Sequence, residues 1–309
     1  MVLLAGGTGG AKLAHGFAQV LAPRELTVVA NVADDLELHG LHLSPDIDAI
    51  LYHLAGLIDA ERGWGLRGDT FTALEMLGRL GAPTWFRLGD GDLATHVERT
   101  RRLRSGESLT DATAAMAAAL GVTARVVPAT DDRLRTIVET EEGPVDFQTY
   151  FVALRQEPRV RGLRFDGADA VRPTRAVLDA IGDAELIVIG PSNPLVSIGP
   201  ILAIGGMREA IVESPAPVVA VSPIVAGRAL KGPADRMLVS LGHESSALGV
   251  ARLYRGVVDR FVLDEADAGQ AASVRELGLG AVVLPTVMRS DADRATLARR
   301  LAEGRMLSR

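Results

Sequence analysis

The recurrence of short, β-branched or aliphatic runs separated by helical stretches constrains this fold more than any other feature of the chain. Val2-Leu3-Leu4-Ala5 is too brief for a helix and ends in Gly6-Gly7-Thr8-Gly9-Gly10. Leu13, Phe17, Val20 and Leu21 then recur at helical spacing, and Leu26 to Val32 is a second run suited to a strand buried on both faces. The first 35 residues therefore predict a compact βαβ unit. Similar runs follow at Leu186–Ile189, Val218–Val221, Phe261–Leu263 and Ala281–Leu284, most of them separated by helices. Alternation of this kind predicts a doubly wound α/β fold, with a mostly parallel, Rossmann-like sheet between helices.

The middle of the chain reads differently. Helical patterns cover Phe71 to Leu80, Leu93 to Leu103 and Leu109 to Leu120. Arg125 to Val127, Thr136 to Thr140 and Val145 to Leu154 read as strands, with a turn at Glu141 to Pro144 between the last two. The expectation is one α/β domain over residues 1–309, carrying an inserted helical lobe and β-ribbon at about 62–160.

Composition narrows the function classes. With 48 % apolar and 23 % charged residues the chain has ample material for a core. A net charge of -6 argues against coating nucleic acid or an anionic membrane, so a phosphate-rich ligand has to be held by local groups. The absence of cysteine excludes disulfides, thiolate metal sites and cysteine nucleophiles. Lys12 follows the first apolar run instead of preceding it, which is not a signal-peptide pattern, and no apolar stretch is long enough to span a bilayer. A cytoplasmic protein is expected.

Gly7, Thr8, Gly9, Gly10 and Lys12 lie where a strand hands over to a helix, a place where backbone amides can receive phosphate oxygens. The pattern is neither the dinucleotide fingerprint, which wants glycine where Lys12 stands, nor a Walker loop. A tight strand-to-helix turn explains the glycines without any ligand. Asn31-Val32-Ala33-Asp34-Asp35 ends the second strand, where such sheets bind ligands, and adjacent carboxylates can hold Mg²⁺. Ser44-Pro45-Asp46-Ile47-Asp48 opens a helix, with Ser44 as expected N-cap, which gives Asp46 a purely structural alternative.

Asp69 reads as the N-cap of the helix after it. Trp64 is suited either to stacking on a planar ring or to packing. Trp85 to Asp92 reads as the end of a strand, with Asp92 capping the helix that bears His96. Ser192 and Asn193 follow the run at Leu186–Ile189, Ser222 follows Val218–Val221, and Lys231 comes soon after. Small hydroxyl and amide donors at successive strand ends point to a shared ligand crevice, although prolines there also serve as punctuation.

These motifs, in this order and over nearly the whole length, resemble the 2-phospho-L-lactate transferases of coenzyme F-420 biosynthesis, the CofD/FbiA family. The resemblance rests on Gly6 to Lys12, Asn31 to Asp35, His39 to Asp48, Arg62 to Gly65, Trp85 to His96, Ala129 to Arg133, Phe147-Gln148, Pro191 to Pro200 and Ser222 to Ile224. It implies a Mg²⁺-dependent transfer in which the ribityl hydroxyl of the deazaflavin Fo attacks a phosphorus bearing a three-carbon acid, and GMP leaves. The implied donor is lactyl-diphosphoguanosine or an enolpyruvyl relative. By the same resemblance Asp34 and Asp46 are the metal ligands and catalytic carboxylates. Fo lies toward Asn31, Asp35 and Trp64, and guanosine toward Ser192, Asn193, Ser222 and Lys231. A homodimer is the expected assembly, with no nucleic-acid or membrane partner. The alternatives are a YvcK-like nucleotide-sugar-binding regulator without transferase activity and a nicotinamide oxidoreductase. The first conflicts with the Arg62-to-Thr70 and Trp85-to-His96 segments, the second with Lys12.

Overall fold

The computed structural model describes residues 1–303; residues 304–309, counted in the single domain expected from the sequence, lie outside the described residues. Seven strands form the central sheet: β1 (Val2–Ala5), β2 (Thr27–Ala30), β3 (Arg125–Pro128), β4 (Ile187–Ile189), β5 (Val218–Val221), β6 (Arg260–Asp264) and β7 (Gly280–Leu284). Their spatial order is β7-β6-β5-β4-β1-β2-β3, and every pairing is parallel. The doubly wound α/β expectation is met. The interior strands are buried because they carry Val, Ile, Leu and Ala on both faces: Leu3, Leu4, Val28, Val188 and Ile189 are all fully buried. Each such side chain contributes about 2 kcal/mol relative to exposure.

The chain leaves β1 outward to β2 and β3, then returns to place β4 on the other side of β1. This reversal between β1 and β4 is the topological switch point, where a crevice opens at the carboxyl ends of the strands. Helix α1 (Gly7–Val20) starts there, and α2 (Pro45–Leu54) packs against it.

The segment at about 62–160 contributes α3 (Thr72–Arg79), α4 (Asp90–Arg104) and α5 (Leu109–Ala119), close to the spacing expected. Three expectations are corrected. The run at Arg125 is β3, an edge strand paired with β2, and not part of a ribbon. The ribbon is instead a three-stranded antiparallel sheet of 135–140, 143–146 and 160–166. The expected strand from Val145 to Leu154 stops at Asp146 and becomes a wide helical turn over Thr149–Ala153. Phe147, Tyr150 and Phe151 recur at helical spacing, and Phe147 stacks on Phe151 at 5.5 Å while Tyr150 enters a small core with Val138, Val160 and Met237. Residues 81–89, expected to end a strand at Trp85, form no strand and lead straight into α4.

The caps are rearranged too. Ser44 makes no cap bond; its hydroxyl donates to Asp35 at 2.8 Å. Asp69 does not cap α3: it accepts from the amides of Gly91 (2.8 Å) and Asp92 (3.0 Å) at the start of α4. Asp90 accepts from Thr72 (3.1 Å) and Ala73 (2.9 Å) at the start of α3. Asp92 is left in the first turn of α4, where it receives the Tyr52 hydroxyl. Among the described residues no helix is long and apolar enough to cross a membrane.

Candidate functional site

A cavity of about 720 Å³ opens at the switch point, lined by the α1 N-terminus, the α2 N-terminus, the loops after β4 and β5, and the lobe carrying α4. Gly7, Thr8, Gly9 and Lys12 line it, as do Asp34 and Asp46. So do Trp64, Ser192, Asn193, Ser222 and Lys231, whereas Gly10, Asn31 and Asp35 stand behind its wall.

The glycines have a steric reason to be there. A Cβ on Gly9 would sit 2.1 Å from the Pro191 carbonyl oxygen, and one on Gly10 would meet Ala5 and Ser192 at 2.7 Å. The α1 N-terminus is thus pressed against β1 and the loop after β4. The amides nearest the sheet are already engaged: Gly7 N–H donates to Asp46 Oδ1 at 2.7 Å and Gly6 N–H to Ser192 Oγ at 3.3 Å. Asp46 therefore serves as the anion at the helix terminus. A phosphate oxygen entering here would be left with the first-turn positions of Thr8 and Gly9, which also line the cavity.

Asn31 holds the acidic pair in place. Its amide donates to Asp46 Oδ2 at 2.9 Å and Asp34 Oδ2 at 3.2 Å, while its carbonyl oxygen accepts from Ala33 N–H. Asp34 Oδ1 is buried and makes no hydrogen bond of ordinary geometry, with the Thr136 hydroxyl as the donor beside the carboxyl. Burial, and then the charge of Asp46, push the Asp34 pKa well above the carboxylate range. Burial raises Asp46 to about 6 against the opposing bonds from Asn31 and Gly7. Asp35 faces away: it accepts from Ser44 and from His42 Nε2 at 3.0 Å, and burial raises its pKa as well.

A buried carboxylate oxygen beside a second carboxylate fits a divalent cation. Among the described residues no group of three or more acidic, histidine or cysteine side chains could hold a metal. Such an ion would take the rest of its shell from water and substrate phosphate, as Mg²⁺ does and as metals that demand a full protein cage do not. Asp34 and Asp46 would be its protein ligands.

Two lysines face the same space. Lys12 Nζ donates to the Met288 carbonyl at 3.3 Å and Lys231 Nζ to the Gly63 carbonyl at 2.8 Å. Burial lowers both pKa values, with Arg294 acting further on Lys12 and Lys12 on Lys231. Ser222 turns inward, its hydroxyl donating to Ile224 O at 2.8 Å, and Asn193 Oδ1 accepts from Leu195 N–H at 2.9 Å. These two shape their loops. Trp64 is 39 % exposed, edge-on to Phe71 at 6.4 Å.

Sequence reasoning passed over a buried polar cluster on the α2 and α4 faces. Arg99 is fully buried and bidentate on Asp48. His96 lies beside both, and Tyr52 donates to Asp92 Oδ1 at 2.7 Å. Asp48, Tyr52, Asp92 and His96 line the cavity. The signal was present as spacing: Asp48 and Tyr52 are four apart on α2, Asp92 and His96 four apart on α4, which puts each pair on one face. Nothing local showed that the two faces meet.

Residues 1–288 match the family model described as 2-phospho-L-lactate transferase CofD. A protein of Methanosarcina mazei named 2-phospho-L-lactate transferase is 42 % identical over 254 residues, which is 82 % of this chain and 83 % of that one. A Streptomyces griseus protein named phosphoenolpyruvate transferase is 44 % identical over 259 residues, 82 % of this chain and 81 % of its own. Among solved structures, protein BH3568 of Bacillus halodurans shares the fold, with a TM-score of 0.66 at 19 % identity over 97 % of this chain and 98 % of that one.

Proposed function

The chain belongs to the 2-phospho-L-lactate transferase CofD family, and on that premise we propose that it transfers a phospholactyl or phosphoenolpyruvyl group from a guanosine diphosphate-type donor to the ribityl hydroxyl of Fo, releasing GMP. The observation that carries this reading is the Asp34–Asp46 pair, held by Asn31 inside a cavity that also presents helix-terminal amides, two lysines and an aromatic wall. Relatives are named for both three-carbon acids. The transferase reading is therefore favoured over a nucleotide-sugar-binding regulator.

In the reaction the alcohol oxygen forms a bond to the phosphorus bearing the acid, and the bond from that phosphorus to the bridging oxygen breaks, so GMP departs with the electron pair. The alcohol proton goes to a carboxylate, for which Asp34 and Asp46 are the groups the cavity presents. Thr8 and Gly9 amides with Lys12 and Lys231 supply positive potential for the diphosphate oxygens. Bound Mg²⁺ would supply charge neutralisation of the diphosphate at Asp34 and Asp46. Fo lies against Trp64 and the Asn31–Asp46 end, with guanosine toward Ser192, Asn193, Ser222 and Lys231. The expected setting is a cytoplasmic homodimer.

Incubation with Fo, Mg²⁺ and each candidate donor tests the reading by mass spectrometry. The expected products are GMP and a deazaflavin heavier by the phospho-acid. Intact Fo with every donor would reject it.

A further inference from the structure

Two side chains beside the acidic pair carry hydrogen-bonding groups that the fold leaves unused. Gln148 is 7 % exposed and Ser197 6 %. Each stands where a helical segment begins, Gln148 before Thr149–Ala153 and Ser197 before Ile198–Ala203, yet neither side chain caps it. Among the described residues the Gln148 amide and the Ser197 hydroxyl have no hydrogen-bond partner at all. Polar groups buried to this degree are normally matched. Both side chains line the cavity, and neither polar group is sealed off from it. Their neighbours fix where they stand. A Cβ on Gly6 would meet Asp46 Oδ2 at 2.6 Å and Ser197 Cβ at 2.8 Å, so Ser197 lies against Asp46. Phe147, the residue before Gln148, packs in the small core with Val196, whose carbonyl accepts from Asn31 Nδ2 at 3.4 Å. Asn31 is the side chain that holds Asp34 and Asp46.

We propose that Gln148 and Ser197 form the subsite for the carboxylate of the three-carbon acid carried by the donor, with the Gln148 amide N–H and the Ser197 hydroxyl donating to its oxygens. The proposal rests on the function proposed above. There the phosphorus under attack lies at the acidic pair, and the acid's carboxylate is attached to the carbon that bears the ester oxygen. The carboxylate is thus a near neighbour of the phosphorus, and whatever holds it must stand next to Asp34 and Asp46. An ionised carboxylate can only accept, and bonds from neutral donors to it are stronger than neutral pairs. The two lysines of the cavity already donate to the Met288 and Gly63 carbonyls and serve the diphosphate. Uncharged donors also leave no unpaired cation in the wall when the acid departs with the product. Such a subsite reads the part that lactyl and enolpyruvyl acids share and leaves their third carbon unread. That agrees with a family whose members are named for both acids.

Calorimetric titration of the full chain with lactyl-diphosphoguanosine and with GDP, in Mg²⁺ and without Fo, tests it. Ser197→Ala and Gln148→Met each remove one donor and should weaken the lactyl compound by about tenfold. GDP, which lacks the acid, should stay within twofold. Equal weakening of GDP would make these side chains phosphate contacts, and unchanged affinity for both ligands would remove them from the donor; either result overturns the proposal. So would an effect confined to KM for Fo. The unmutated protein supplies an arm that needs no variant to fold: a donor with carboxamide in place of carboxylate should bind about tenfold more weakly than the acid, and equal binding would overturn the subsite. In Ser197→Ala that preference for the acid should shrink; a preference of unchanged size would place the carboxylate elsewhere. Turnover keeps the two readings apart. Product from Fo with variants that bind the donor like the wild type rejects the subsite alone. No product with any donor rejects the transferase reading, while the titrations, which need no turnover, still decide the subsite.

Discussion

Asp34 concentrates the electrostatic tension of the site in one side chain. One of its oxygens is bonded to Asn31 and the other is buried beside Asp46 without a hydrogen bond of ordinary geometry. Because burial and repulsion raise these pKa values, the folded state retains protons that the unfolded chain has already released. The resulting penalty is absent below the unfolded carboxyl value of about 4. It grows as pH rises through the Asp46 value of about 6. Asp34→Asn should therefore raise Tm in EDTA by about 2 °C or more at pH 8 and very little at pH 4. Mg²⁺-dependent turnover should be almost lost in the same variant. Undiminished turnover would reject Asp34 as a ligand, and a lowered Tm at pH 8 would reject the repulsion. Trp64 belongs to the same scale: half-open, with the Arg62 guanidinium 5.9 Å from its ring, it has room for a planar ligand. Trp64→Ala should weaken Fo by about tenfold while sparing the donor, a stacking loss of about 1.4 kcal/mol. Equal weakening of both would assign it to packing.

Helices α3 and α4 begin as a crossed pair: Asp69, in the segment before α3, caps α4, and Asp90, the first residue of α4, caps α3. Asp69 receives two α4 amides, Asp90 two α3 amides, and Asp90 N–H returns to the Thr70 carbonyl at 2.8 Å. This lock orients the face of α4 that brings Asp92, His96 and Arg99 against α2. Asp69→Ala and Asp90→Ala should each lower the midpoint of a urea titration. The double variant should lose less than the sum, because breaking either cap loosens the other. Strict additivity would show two independent caps. Arg99→Met strands Asp48 in the interior and should cost about 3–5 kcal/mol, read by the same titration. Asp69 is legible in the sequence as a helix-start residue, whereas the cap of the next helix is expected there at Asp92 and not at Asp90. Which helix each one caps is not legible, since the crossing involves amides about 20 positions away.

Across the whole molecule, the cavity joins the switch point of the sheet to the lobe that interrupts it. Two of its lining residues are joined by the Lys231 bond to the Gly63 carbonyl, which ties the loop after β5 to the segment before α3. Fo together with guanine nucleotide and Mg²⁺ should slow hydrogen exchange in both 62–66 and 229–233. Nucleotide at 100 times its Kd should add about 2.7 kcal/mol of stability. Protection confined to one of these segments would contradict a shared cavity.

Local windows of the sequence were enough for the parallel α/β architecture, the helices α3 to α5 and the glycine turn, but not for the strand read at Trp85 or the one read over Val145 to Leu154. Periodicity, turn chemistry and strand length are properties of about 15 residues or fewer. The same windows brought Asp34, Asp46, Lys12 and Trp64 forward as candidates, because acidic, basic and aromatic residues cluster where strands end. Only the tertiary structure decided that Asp46, instead of a substrate, occupies the Gly7 amide, and that Asp34 faces Asp46 while Asp35 turns to His42. It also decided that Asp48 meets Arg99 from 51 positions away. Those outcomes depend on how separate segments are brought together by the return of the chain to β4, and long-range juxtaposition leaves no trace in the spacing of neighbouring residues.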